Sequence, residues 1–187
     1  IYLAIYRFTS VCGNQFLECA RLFNVVFFTA AGAFIYAVAK TVCTHRTATI
    51  VSLLALLGPI NSYTAYFMPD ALYYLAFWLF SWFVLRADST YQWGHWSTAG
   101  FIFGCTALIK PHAFLCFPAI IAYIFCIYRA PNGGRSQGGF GSTTAFIVSA
   151  IATKLAIGYL IAGKAGITFF GPLYTSIAST TTANFHG

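Results

Sequence analysis

The chain reads as an all-α, polytopic transmembrane helix bundle. Two observations of composition predict this. Apolar residues make up 59% of the 187 residues and charged residues only 7%, where soluble domains carry about 25% charged residues. The third observation is spacing. Apolar runs close to the ~20 residues that a membrane span requires recur along the chain, separated by short segments that hold most of the charges.

Taken in order, residues 1–20 read as a partial span or a helix lying in the interface. Residues 22–39 form the first clear span, and 47–67 a second, interrupted at Gly58-Pro59. Residues 71–85 form a third, a little short and starting in effect at Asp70. The run 97–109 is short and contains glycine, 113–128 follows after only Lys110-Pro111-His112, and 142–162 is the last. That predicts about six spans. Between the last two, residues 130–141 are rich in Gly and read as a flexible linker. The organisation expected is therefore a membrane core over 1–129, a linker over 130–141, and a last span with a polar tail over 142–187. The chain opens Ile1-Tyr2-Leu3-Ala4, with neither Met nor a cleavable signal pattern, which predicts a piece of a longer protein whose remainder is a partner of this segment.

Charge then orients the bundle. Lys40 and Arg46, Arg86, and Arg129 with Arg135 fall in loops on one side; Glu18, Arg21, Asp70, Lys110 and His112 fall on the other. Positive charge marks the cytoplasmic side, so the second group is expected on the extracytoplasmic face of a multi-pass protein. The net charge of +7 does not indicate nucleic acid, because the basic residues are spread singly rather than gathered in a patch. The six cysteines contain no CxxC spacing, and Cys105, Cys116 and Cys126 lie in apolar runs where a thiol packs as a small hydrophobe. Cys12 and Cys19 pair if their side is oxidising; two free thiols are the plainer expectation. With only three acidic residues, a carboxylate-rich metal site is not expected, and no dinucleotide, phosphate-loop or zinc-protease motif occurs.

Asp70 stands out among the candidates for chemistry. It follows Pro69 and opens an almost unbroken apolar run. The plain reading is a helix N-terminal carboxylate, favoured there by the backbone N–H groups and the helix dipole. The functional reading is a site carboxylate facing a water-filled cavity or a substrate. Tyr63, Thr64, Tyr66, Tyr73 and Tyr74 crowd the same region, and aromatic hydroxyls suit a sugar or, equally, an interfacial aromatic belt. Lys110 is either a snorkelling lysine or a point charge for a lipid phosphate, with His112 beside it as a further donor or a plain interfacial histidine. Glu18 and Arg21 are spaced to pair on one helical face, or Arg21 lines the outer cavity. Lys154 falls near the middle of the last span, where a lysine faces the bundle interior, water or a lipid phosphate.

Three segments recur in a familiar order: Cys19-Ala20-Arg21-Leu22-Phe23-Asn24, then Gly58-Pro59 through Pro69-Asp70-Ala71-Leu72-Tyr73-Tyr74, then Gly100-Phe101-Ile102-Phe103-Gly104 through Leu108-Ile109-Lys110-Pro111-His112. Over residues 20–123 this order resembles the middle of the polytopic GT-C glycosyltransferases, the superfamily of protein O-mannosyltransferases and aminoarabinose transferases. The resemblance implies a sugar transferase of the bacterial cell membrane or the endoplasmic reticulum membrane, with an extracytoplasmic active site and a polyprenyl-phosphate sugar as donor. No resident cofactor is implied, and transfer with or without a divalent metal stays open. Carried onto this chain, Asp70 is a catalytic-site carboxylate and Lys110 and Arg21 are phosphate binders; His112 and Tyr66, by their place in the sequence beside Lys110 and Asp70, complete the substrate-binding residues expected. The chain departs from the family in one respect: the principal catalytic acid there lies in the first large outer loop, for which only Glu18 is available here. Two other classes fit the bare composition, a transporter or flippase with Gly58-Pro59 as a broken helix, and a structural membrane subunit without a site.

Overall fold

The computed structural model of the chain describes residues 12, 15–58, 70–87, 93–128 and 137–162. These form six α-helices: α1 (Phe16–Ala39), α2 (His45–Leu57), α3 (Asp70–Leu85), α4 (Trp93–Ile109), α5 (Phe117–Tyr128) and α6 (Gln137–Ala162). A 3₁₀ helix, Pro111–Cys116, joins α4 to α5. Among the described residues there is no strand. Three segments, Phe16–Ala39, Pro111–Tyr128 and Gly139–Leu160, are long and apolar enough to cross a membrane, while α2 and α3 are apolar but shorter. Large apolar side chains cover the outside of the bundle, with Leu160 82% and Leu57 77% exposed. Such a surface belongs against lipid rather than water.

Several boundaries differ from those expected. The first helix starts at Phe16 rather than residue 22, so Glu18, Cys19 and Arg21 ride on its opening turns. The second expected span ends at Leu57, because Gly58 and Pro59 cannot continue a helix; residues 59–67 lie outside the described set. The expected linker is shorter than its composition suggested, since α6 begins at Gln137 and takes up the last residues of the 130–141 stretch. The polar tail, residues 168–187, lies outside the described residues, as do Tyr63, Thr64 and Tyr66.

Three close approaches hold the bundle. In the α1–α2 hairpin, Gly32 lets Leu56 lie directly on the helix backbone, and the Ser52 hydroxyl donates to the Gly32 carbonyl at 2.7 Å. Between α4 and α6, a Cβ on Gly100 would stand 2.3 Å from the Phe146 carbonyl oxygen, and one on Gly104 2.8 Å from Thr153. Gly100 and Gly104 thus form the small-xxx-small seam that lets membrane helices pack backbone to backbone. Ser149 donates to the Ser97 carbonyl at 2.6 Å along the same seam. The third approach is aromatic. Phe103 stands 5.4 Å from both Phe80 and Phe146, ring centre to ring centre, tying α3, α4 and α6 into one core.

The contacts also fix helix directions. Phe28 stacks on Tyr74 at 5.3 Å and Phe34 meets Trp82 at 5.6 Å, so α1 and α3 run parallel. Gly100 faces Phe146 and Gly104 faces Thr153, so α4 and α6 also run parallel. Phe83 stacks on His95 while Phe80 meets Phe103, which makes α3 and α4 antiparallel. Trp96 donates to the Tyr128 hydroxyl at 3.1 Å, joining the start of α4 to the end of α5. Every helix therefore reverses on the one before it, as the alternation of charged loops predicted.

Candidate functional site

One end of the bundle carries Lys40, the His45–Arg46 start of α2, and Arg86, whose guanidinium lies over the Trp82 ring at 4.8 Å. The opposite end carries the start of α1, the start of α3 and the α4–3₁₀ junction. The site is built at this second end.

Lys110 is positioned by its neighbour. The ring of Pro111 disfavours helical backbone at the preceding residue, and Lys110 accordingly leaves the helix with φ −140° and ψ 127°. That stops α4 at Ile109 and swings the lysine off the helix axis toward α3. Its ammonium donates to the Asp70 carboxylate. The two side chains are partly buried, 30% exposed for Lys110 and 23% for Asp70. Asp70 is the first residue of α3, at the positive end of that helix's dipole. The Lys110 ammonium also stands 5.9 Å from the centre of the Tyr73 ring, one turn further along α3. An acid, a base and a phenol, drawn from the start of one helix and the end of the next, thus meet at one point. The reading of Lys110 as a snorkelling lysine without a partner is replaced by an ion pair with Asp70, which also opens α3.

The other expected site residues separate. Arg21 pairs with Glu18 at 2.7 Å on the exposed face of α1, which is the i, i+3 pair that the spacing predicted. His112 is exposed on the 3₁₀ helix. Tyr66 lies outside the described residues. Tyr74, grouped with the loop tyrosines in the sequence, turns away to stack on Phe28 between α1 and α3. Among the described residues, no three His, Cys, Asp or Glu side chains come together as a metal-binding group.

Cys12 and Cys19 form a disulfide at the start of α1, the alternative the sequence left open beside the plainer expectation of free thiols; disulfides persist in oxidising compartments. Lys154 lies inside the Gly139–Leu160 span, where the sequence put it, with its ammonium 4.9 Å from the ring centre of Phe114 on the 3₁₀ helix.

Comparison with curated proteins gave no match, and comparison with solved structures gave none. The family model for dolichyl-phosphate-mannose-protein mannosyltransferases matches residues 1–153. That stretch takes in α1 to α5, the larger part of α6, and both members of the Asp70–Lys110 pair. With most of its length covered, on a helical bundle fit for a membrane, the chain belongs to the dolichyl-phosphate-mannose-protein mannosyltransferase family.

Proposed function

We propose that this protein transfers a sugar from a polyprenyl-phosphate carrier to an acceptor on the extracytoplasmic side of the membrane, and that the Asp70–Lys110 pair is part of the donor site. Family membership makes it a membrane glycosyltransferase; the donor, the side and the residues are the proposal. The observation that carries it is the pair itself. A carboxylate and an ammonium held together at the end of a membrane bundle are costly to desolvate, and the Lys110-Pro111 kink is what brings them into contact.

The chemistry follows from charge. In the transfer, an acceptor hydroxyl oxygen forms a bond to the anomeric carbon as the bond from that carbon to the phosphate oxygen breaks. The leaving phosphate takes the electron pair, and the hydroxyl proton passes to a carboxylate. Lys110 meets the negative charge gathering on the phosphate; stabilisation of such developing charge is the largest common term in catalysis. Asp70 holds the ammonium at the mouth of the bundle and serves as a supporting carboxylate. The base that takes the proton belongs, on the family's pattern, to an outer loop preceding these helices. Tyr73 offers a ring face and a hydroxyl of the kind a sugar uses. Two observations favour the extracytoplasmic side: the clustering of Lys40, Arg46 and Arg86 at the other end, and the Cys12–Cys19 disulfide at this one.

The test is transfer by Asp70→Asn in the full-length protein, reconstituted in liposomes with a polyprenyl-phosphate sugar donor. Loss of transfer with unchanged membrane insertion is expected. Wild-type transfer by that variant would reduce Asp70 to a structural partner of Lys110.

A further inference from the structure

The Lys110 ammonium is held from two sides by the first turn of α3. Asp70, the first residue of that helix, accepts an N–H from it. The ring of Tyr73 stands with its centre 5.9 Å away, inside the ~6 Å over which a ring face attracts a cation. Residues three apart share a helix face, and helical side chains lean back toward the helix start. The Tyr73 ring therefore leans over the turn that Asp70 opens. The next residue goes elsewhere: Tyr74 is turned to α1, where it stacks on Phe28 at 5.3 Å. Tyr73 is itself fixed. It packs against the core that holds Phe80 and Phe103, and its ring centre lies 6.3 Å from that of Phe77, one turn further on.

We propose that Tyr73 is a positioning residue for donor binding: its ring, rather than its hydroxyl, holds the Lys110 ammonium where it meets the donor phosphate. This rests on the reading of Lys110 as the residue that binds that phosphate. Asp70 alone does not fix the ammonium. A lysine carries a point charge with three N–H donors on a flexible four-carbon stem, and a single contact lets it swing about the carboxylate. A second contact on another side confines it. The ring also attracts without neutralising. A carboxylate offsets the lysine's charge, whereas a ring face holds a cation through its quadrupole and leaves the charge for the phosphate. The two charged side chains are largely out of water, 30% exposed for Lys110 and 23% for Asp70, and a cation–ring contact is stronger there than at an open surface.

The experiment measures donor KM and kcat of the full-length protein in liposomes, with a polyprenyl-phosphate sugar as donor. Tyr73→Phe keeps the ring and is the reference. Against it, Tyr73→Leu should raise donor KM roughly threefold, the scale of one cation–ring contact. Phenylalanines bearing one, two and three ring fluorines at position 73 should raise KM stepwise with kcat steady. Fluorine drains the negative ring face while the side chain keeps nearly the same shape, so this series melts together in detergent and a purely structural role would not move its KM. Neither effect should survive in a Lys110→Ala background. A flat KM across the fluorinated series overturns the proposal. So does a rise of undiminished size in the Lys110→Ala background, which would assign the ring to the sugar or to the fold. An unchanged KM in Lys110→Ala itself is a different failure: it removes the phosphate role of Lys110 and the proposal with it. A flat fluorinated series beside a raised KM in Lys110→Ala removes the positioning role alone.

Discussion

The Lys110 ammonium donates to the Asp70 carboxylate, closing a contact between residues 40 apart in sequence. The contact requires three local facts together: α3 begins at Asp70, α4 ends at Ile109, and the two helices are antiparallel.

The parallel seam between α4 and α6 supports the helix that carries Lys110. Gly100→Ala places a Cβ 2.3 Å from the Phe146 carbonyl oxygen and 2.9 Å from Ser149 Cβ. The backbone has to move, and such overpacking costs about 1–3 kcal/mol. Gly94→Ala in the same helix meets nothing within 4 Å and should be neutral or slightly stabilising. Thermal unfolding in detergent should separate the two variants clearly; equal melting would contradict the seam.

At the basic end, the Trp96 indole N–H donates to the Tyr128 hydroxyl at 3.1 Å, and Trp96 is 1% exposed. Tyr128→Phe removes that acceptor from a buried donor. It should destabilise the protein by about 1–3 kcal/mol, read by the same unfolding assay. Trp96→Phe in addition should recover part of the loss, since an apolar ring leaves no donor unsatisfied.

Sidedness has its own chemical readout. Cys43 lies exposed in the turn between α1 and α2, at the end that carries Lys40 and Arg46. A membrane-impermeant maleimide should label it only from the cytoplasmic face of sealed vesicles. Cys12 and Cys19 should resist labelling until reduced and then react only from the opposite face. Labelling of Cys43 from the same face as Cys12 and Cys19 would invert the assignment.

The sequence revealed the class and the alternation because both rest on composition and on the sign of loop charges, which need no tertiary knowledge. It also placed Asp70 and Lys110 on one end, since an antiparallel helix pair puts its start and finish together. It did not reveal that they touch, because contact depends on the extended backbone that Pro111 imposes at Lys110. The α4–α6 seam was present as Gly100 and Gly104, but a GxxxG in a short run does not name its partner helix. The sequence left the Cys12–Cys19 pairing open because seven residues of separation fit two helical turns and a bridge alike. The transporter and structural-subunit classes, open on composition, leave the family match over residues 1–153 without an explanation.

The central claim is that the pair serves the donor phosphate rather than the fold alone, and charge reversal separates the two. The Asp70→Lys, Lys110→Asp double variant can re-form the pair with its poles exchanged. Measured as steady-state transfer alongside thermal stability in the full-length protein, it should melt close to wild type. Its donor KM should rise by roughly tenfold or more, the scale of one charge-assisted contact, and Lys110→Ala should share that rise. A double variant that regains both stability and wild-type transfer kinetics would show that Asp70 and Lys110 only join α3 to α4.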